Sequence, residues 1–382
     1  MRIALVSDCY LPRLGGIELH VHDLAAQLRL AGNSVAVFTV TDSTGPDQGP
    51  VLRLPAVGGI PLPEAINALR RSLGSGMYDV VHAHTSFFSP LAWSAARIAA
   101  AAGVPTILTL HSLPAAGGVL APRLLAGLDA RLGPRIVWTA VSEVVADSLR
   151  QALPGRSVEI LHNGIDPAPW RQPRHAGGPP TLVSTMRLVR RKRPFALLRI
   201  LEAVRSESPA NLRAVIVGDG PNAPALARAV ERRGMTDWVE LPGRLRRAEI
   251  QRLYAKTDVF LAPARLESFG VAALEARCAG LAVVAMGSGG VGEFIRPGVE
   301  GFLVDSDEQM AQVTAALLTD PVRLHRMQNH NRRTASGMAW PNVIGRHLHV
   351  YGRVAPQPAL SAPVLASNST AYENLQPTEP TR

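Results

Sequence analysis

The stretch Glu267 to Gly280, ESFGVAALEARCAG, lies between two short apolar runs, Val259 to Ala262 and Leu281 to Ala285. Their length and valine content suit strands buried on both faces of a parallel sheet. Between them, Phe269-Gly270 opens a helical pattern carrying Val271, Leu274 and Ala276. The first amides of a helix have no partner within it, so this end suits an anion such as a diphosphate. Glu267 precedes the turn and Glu275 follows eight residues later, within the helix. Two carboxylates so placed suit a ligand with hydroxyls at both ends. Eight helical residues rise about 12 Å, an upper bound because Glu267 belongs to the loop.

Upstream, Thr181 to Met186 reads as a strand, followed by Arg187-Leu188-Val189-Arg190-Arg191-Lys192 and by Pro194 at a helix start. Arg187 and Lys192 are two cations five residues apart in a loop after a strand, where a diphosphate would bind. Arg190, Arg191 and Arg193 are expected to be solvated, the alternative being that they reach an anionic acceptor. Leu212 to Gly218 is a further strand, and Val239 to Leu241 a short one ending in Pro242-Gly243-Arg244-Leu245. After Ala285, Gly287-Ser288-Gly289-Gly290 precedes Val291-Gly292-Glu293, with glycine allowing close approach to a ligand and Glu293 tying the loop.

The first half repeats the pattern. Ile3 to Ser7 is a strand; a loop ending in Gly15-Gly16 leads to a helix with Ile17, Val21, Leu24 and Leu28 along one face. Val35 to Thr39 follows as a strand. No G-x-G-x-x-G directly follows the first strand, so this is not the dinucleotide fingerprint. Asp79 to His84 and Thr106 to Leu110 are strands flanking a helix over Ser86 to Ala102. His111 sits at the carboxyl end of its strand, where ligands bind in open α/β sheets. His82 and His84 are strand-end residues or face an acceptor; His20 and His22 are read as surface. Leu113 to Arg135 mixes leucines with Arg123, Arg131 and Arg135, which suits either a membrane-surface segment or a helix packed on the sheet. Ser142-Glu143 caps the next helix. Asn163-Gly164-Ile165-Asp166 is a turn, with Gly164 expected at a special dihedral.

Pro167 to Pro180 is rich in proline and glycine and reads as a linker. The domains are therefore 1–166, and 181–337 beyond the linker at 167–180. Trp340-Pro341 marks a kink before a last helix, and 354–382 reads as a disordered tail. A chain of 382 residues accommodates two cores. Its 47% hydrophobic and 18% charged residues are those of a globular protein. Cys9 and Cys278 are too few for a disulfide framework and lack histidines at metal-ligand spacing. Asp8 interrupts the apolar Ile3 to Val6, so no signal peptide is expected, and no run is long enough to span a bilayer. The formal charge of +10 suits an anionic donor and acceptor or an anionic membrane surface. Nucleic acid ranks last, for want of a binding motif.

Glu267-x7-Glu275 with Ser268-Phe269-Gly270 resembles the signature of the family-four retaining glycosyltransferases. So do Arg187-Leu188 with Lys192, the T-x-H ending in His111, Val141-Ser142-Glu143, Asn163 to Asp166, and Gly289-Gly290 with Glu293. The resemblance covers about Met1 to Tyr351. It departs at Met186 and Arg193, which stand where the family has glycines. It implies the GT-B fold: two Rossmann-like, doubly wound α/β domains facing an interdomain cleft, with the last helix, 340–353, returning to the first domain. It implies that Glu267 and His111 contact the donor sugar and that Glu275 holds the ribose. Arg187 and Lys192 would stabilise the leaving diphosphate. Gly15 and Gly16, Ser268, Phe269, Gly270 and Val271 would line the donor, with Arg244 and Leu245 beside the base.

The implied reaction moves a glycosyl group from a UDP- or GDP-sugar to an acceptor hydroxyl with retention. The acceptor class includes carbohydrate and lipid-linked or cell-envelope glycans. No cofactor or metal is implied, and the place is the cytoplasm or the inner face of the membrane. Two alternatives stay open here: a sugar-nucleotide epimerase of the same fold, and a non-catalytic sugar-nucleotide-binding protein.

Overall fold

The computed structural model describes residues 1–355 other than 44, 87, 114–120, 174–176, 208–210 and 335. Two parallel sheets carry the fold. The first joins β1 (Arg2–Ser7), β2 (Ser34–Thr39), β3 (Val51–Arg53), β6 (Val80–Thr85), β7 (Thr106–Leu110), β8 (Ile136–Ala140) and β9 (Val158–Ile160) in the order β3-β2-β1-β6-β7-β8-β9. A small antiparallel pair, β4 (Ala56–Val57) and β5 (Ile60–Pro61), lies outside it. The second joins β10 (Thr181–Thr185), β11 (Arg213–Val217), β12 (Val239–Gly243), β13 (Val259–Ala262), β14 (Ala282–Met286) and β15 (Gly301–Val304) as β12-β11-β10-β13-β14-β15. Each is a doubly wound sheet, in which the order reverses beside the first strand. Helices cover both faces, which is why strands such as β6 and β14 are buried along their whole length.

The helices are α1 (Gly16–Leu30), α2 (Pro63–Leu73), α3 (Pro90–Ala101), α4 (Ala121–Leu132), α5 (Glu143–Ala152), α6 (Pro194–Ser206), α7 (Ala223–Arg232), α8 (Arg247–Tyr254), α9 (Val271–Cys278), α10 (Asp307–Thr319), α11 (Pro321–Arg333) and α12 (Trp340–Val354). The helix expected over Ser86 to Ala102 starts only at Pro90, a residue suited to the first helical turn. Ser89 closes the preceding loop by accepting the Ser86 amide at 2.9 Å.

α12 packs on the first sheet, not the second: Trp340, Val343, Val350 and Tyr351 share a buried cluster with Ile3, Leu5, Val21 and Leu24. Trp340 and Pro341 form its first turn, so the expected kink is a helix start. The chain thus crosses between the halves twice, and the crossings are bonded to each other. The Ile165 amide donates to the Met338 carbonyl at 2.9 Å and the Trp340 amide to the Ile165 carbonyl at 3.1 Å. Gly164 is required here for space. Its φ is not in the left-handed region, contrary to expectation, but a Cβ on it would lie 2.4 Å from the Trp340 ring.

The linker is partly anchored as well. Trp170, in a 3-10 turn over Ala168–Trp170, is buried against Tyr254. The tail from 356 onward lies outside the described residues.

Candidate active site

In a doubly wound sheet the ligand crevice opens where neighbouring strands send their connections to opposite sides. In the second sheet that point lies between β10 and β13. The loop after β10 carries Arg187 and Lys192, and the loop after β13 carries Glu267. Lys192 Nζ donates to Glu267 Oε2 at 2.5 Å, with both side chains about four-fifths buried (18% and 20% exposed). Arg187 is exposed at the rim, and its charge is felt at the Cys9 thiol in the loop after β1, which burial pushes up.

Glycines let these loops close on one another. Gly270 precedes α9 with φ of 92°, and a Cβ there would meet Val291 at 2.7 Å. Gly290 donates its amide to the Glu267 carbonyl at 2.8 Å, and a Cβ on it would lie 2.3 Å from the Ser268 carbonyl. The Gly289-Gly290 pair therefore approaches the backbone of the signature loop itself.

Glu275 lies within α9 and is buried. Its neighbour is Arg247 of α8, with Nε 3.7 Å from Oε1. Burial pushes the Glu275 carboxyl up to about 7; Arg247 opposes the shift and Asp23 adds to it. Arg247 also reaches Asp23 of α1 at 3.2 Å and lies over the Trp170 ring at 5.5 Å. It joins the two domains at the far end of the signature helix. Sequence reasoning missed it because Arg246 and Arg247 are adjacent and alike. The helix start separates them: Arg246 turns outward to Glu249, and Arg247 turns inward.

The remaining expected donor residues divide. Gly16 faces Val271 across the cleft, 3.8 Å from a Cβ position to Cγ2, which brings the Gly15-Gly16 loop to the start of α9. Ser268 is engaged at the domain interface: its Oγ accepts the Leu113 amide at 3.2 Å and its carbonyl accepts the Ser142 hydroxyl at 2.5 Å. The Phe269 ring is buried beside His162 and Phe294, leaving only its backbone for a ligand. Arg244 is exposed, and Leu245 packs against the core. Glu293 ties its loop to the first domain, accepting the Glu143 amide at 2.6 Å and meeting His162 Nε2 at 3.0 Å.

His111 ends β7 as expected, but its Nε2 is turned on His84 Nδ1 at 3.0 Å. Burial, with the neighbouring His347, holds its pKa down at about 3. His20 is not a surface residue: it is buried on the same face of α1 as Leu24, four positions on. His22 is half-buried and meets the Tyr10 hydroxyl at 3.1 Å. Arg193 is not merely solvated either. Its guanidinium grips Asp307 at 2.7 and 2.8 Å and donates to the Pro263 carbonyl at 3.0 Å. A basic groove of 710 Å³ along α11, lined in part by His325, Arg326 and Arg333, contains none of the expected residues.

Residues 14–169 match the family described as Glycosyltransferase Family 4, and residues 169–334 match Glycosyl transferases group 1. The chain belongs to glycosyltransferase family four. It is 27% identical to a component of human phosphatidylinositol N-acetylglucosaminyltransferase, over 94% of this chain and 77% of that protein. It is 28% identical to the GDP-mannose-dependent alpha-(1-6)-phosphatidylinositol monomannoside mannosyltransferase of Mycobacterium tuberculosis, over 89% and 93%. Its fold is similar to that of Anabaena HepE in complex with UDP-glucose, with a TM-score of 0.75 at 19% identity, covering 92% of this chain and all of that one. Sucrose-phosphate synthase of Thermosynechococcus elongatus gives 0.77 at 20% identity, covering 92% and 98%. This glycosyltransferase thus has the GT-B architecture. Among its described residues no helix is long and apolar enough to cross a membrane.

Proposed function

We propose that this glycosyltransferase transfers a hexosyl group, with retention, from a nucleoside-diphosphate sugar to a hydroxyl of a lipid-linked acceptor at the cytoplasmic membrane face. The observation that carries the donor half is the Lys192–Glu267 pair at the sheet's switch point, beside the start of α9, with buried Glu275 further along that helix. A diphosphate there would meet Arg187, Lys192 and the first α9 amides. Its arrival would free Glu267 from Lys192 to accept sugar hydroxyls. Glu275, whose carboxyl burial pushes up to about 7, would ionise on accepting the ribose hydroxyls. The departing diphosphate oxygen takes the acceptor's proton, and the fixed cations stabilise the charge that develops on it. His111 faces the sugar once its ring turns from His84.

The acceptor half is supported by the phosphatidylinositol acceptors named for relatives in both human and mycobacterium. The mixed character of α4, where exposed Leu124 stands beside Arg123, also favours a surface of anionic lipid.

The test is a thermal-shift screen of UDP- and GDP-sugars, then transfer to a phosphatidylinositol-type acceptor. At least one donor is expected to raise the melting temperature. Lys192→Met is expected to lower kcat by about 10²–10³ in a chain that still folds. Absence of any donor-induced shift would sink the reading, and an epimer formed from donor alone would replace transfer with isomerisation.

A further inference from the structure

Five buried histidines converge at the carboxyl-end side of the first sheet: His20 from α1, His82 and His84 from β6, His111 after β7, and His347 from α12. His82 is fully accounted for, with Nδ1 2.6 Å from the Tyr351 hydroxyl and Nε2 2.6 Å from Thr109 Oγ1. His347 has Nδ1 on the Val343 carbonyl at 2.9 Å, while its Nε2 is buried with no hydrogen-bond partner. His20, His84 and His111 are set apart by the convergence of their ring nitrogens. His84 Nδ1 and His111 Nε2 face each other at 3.0 Å, while His84 Nε2 and His20 Nδ1 are buried with no hydrogen-bond partner. One ring nitrogen from each of the three lies within 4.8 Å of the others.

Buried polar atoms in native proteins almost always have a partner, so the orphans at His20 and His84, beside the one at His347, need an explanation. We propose that His20, His84 and His111 bind a divalent transition-metal ion of the zinc class. Three neutral imidazoles with a fourth position left over are a set that such an ion accepts. The set contains no carboxylate, which makes magnesium and calcium poor occupants. Nitrogens at ~2.1 Å around a tetrahedral ion lie about 3.4 Å apart, so the widest pair must close by at most about 1.4 Å. Small rotations of the rings supply that.

The environment favours the ligands. Metal binding requires deprotonated imidazole, and burial pushes the pKa of His20, His84 and His111 below the ordinary range. His20 is held by stacking on Trp340, with ring centroids 5.8 Å apart at 14°. The groups facing the cluster are the two other histidines, the Tyr351 hydroxyl and Thr109. An ion here would fix the ring of His111 and pin α1, with the Gly15-Gly16 loop at its start, to β6 and β7. The site shares His111 with the transferase reading: an ion would hold that ring on His20 and His84, so the metal-bound chain would contact the sugar without it. Metal retention is measured without any donor, so its failure and the failure of the transferase reading are read separately.

The full chain, stripped with chelator, is incubated with Zn²⁺ or Co²⁺ alone and desalted. One retained equivalent is expected, with the visible absorption of low-symmetry Co²⁺ and a raised melting temperature. His20→Gln and His84→Gln should each lose that equivalent, whereas His325→Gln on α11 should keep it. X-ray absorption on the Zn²⁺-loaded wild-type chain should count three imidazole ligands, a measurement that needs no folded variant. No retained metal, retention unaltered in both variants, or fewer than three imidazoles would overturn the proposal.

Discussion

Among the described residues, Arg193 is the one non-glycine with positive φ, at 59°. It occupies a position where the family resemblance expects glycine. The backbone conformation has been kept and the side chain put to use, in the two-pronged contact with Asp307 and the bond to the Pro263 carbonyl. This separates two variants. Arg193→Ala loses those contacts and still holds a Cβ in the left-handed region. Arg193→Gly loses the same contacts and is relieved of that strain. The glycine variant is expected to be more stable than the alanine variant by about 1 kcal/mol, measured by urea unfolding. The reverse order would show that the turn changes conformation when the arginine goes. Residues of this kind explain what the sequence conceals: Arg193 reads as a spare cation because its partner lies more than a hundred positions away. His20 reads as surface because a polar side chain next to Val21 looks like the wet side of a helix.

At the scale of elements, the domain contact is made by helix ends. Ser142 Oγ accepts the Val145 amide at the start of α5 while donating to the Ser268 carbonyl. Glu293 then supplies a carboxylate to the amide of Glu143, the first residue of that helix. Burial opposes charging Glu293, but the His162 and Glu143 bonds outweigh it and hold its carboxyl below the usual range. A charged hydrogen bond of this type contributes about 1.5–3 kcal/mol. Glu293→Ala is expected to loosen the closed arrangement, raising the donor KM about tenfold or more with a smaller change in kcat. Small-angle scattering should show an increased radius of gyration. Unchanged scattering and KM would place closure elsewhere. The elements themselves were largely legible, since strands buried on both faces leave continuous apolar runs. Their ends were less so: the Pro90 start of α3 depends on a serine pair closing the loop before it.

For the whole molecule, the buried histidines dominate the response to acid. Each is held neutral with a lowered pKa: His20, His82 and His84 well below the ordinary value, His111 at about 3 and His347 at about 4. Burial is the main cause in each. The unfolded chain takes up these protons near pH 6.5 and the folded chain does not. Stability is therefore present above about pH 6.5 and falls as pH drops below it. Asp8, raised to about 6, and Glu275, raised to about 7, act in the opposite sense, because the folded state holds their protons first. Five histidines against two carboxyls leave a net uptake of about three protons on unfolding, or up to about 4 kcal/mol per pH unit between pH 5 and 6. Urea unfolding in the presence of chelator should show that decline, and a flat profile from pH 7 to 5 would mean that the histidines are hydrated. The two-sheet architecture was legible as a whole, but this acid sensitivity was not, since it arises from histidines that four separate segments bring to one place.

The paired crossings at Ile165 and Met338 to Trp340 have a mechanical consequence. A single tether would let the halves drift apart whenever the cleft emptied. Two tethers laced together, with Trp340 seated over Gly164, behave as an axle: the halves can swing about it, but they cannot separate along it. Cutting the polypeptide anywhere between Pro167 and Pro180 would therefore leave one assembled body, still able to open and shut.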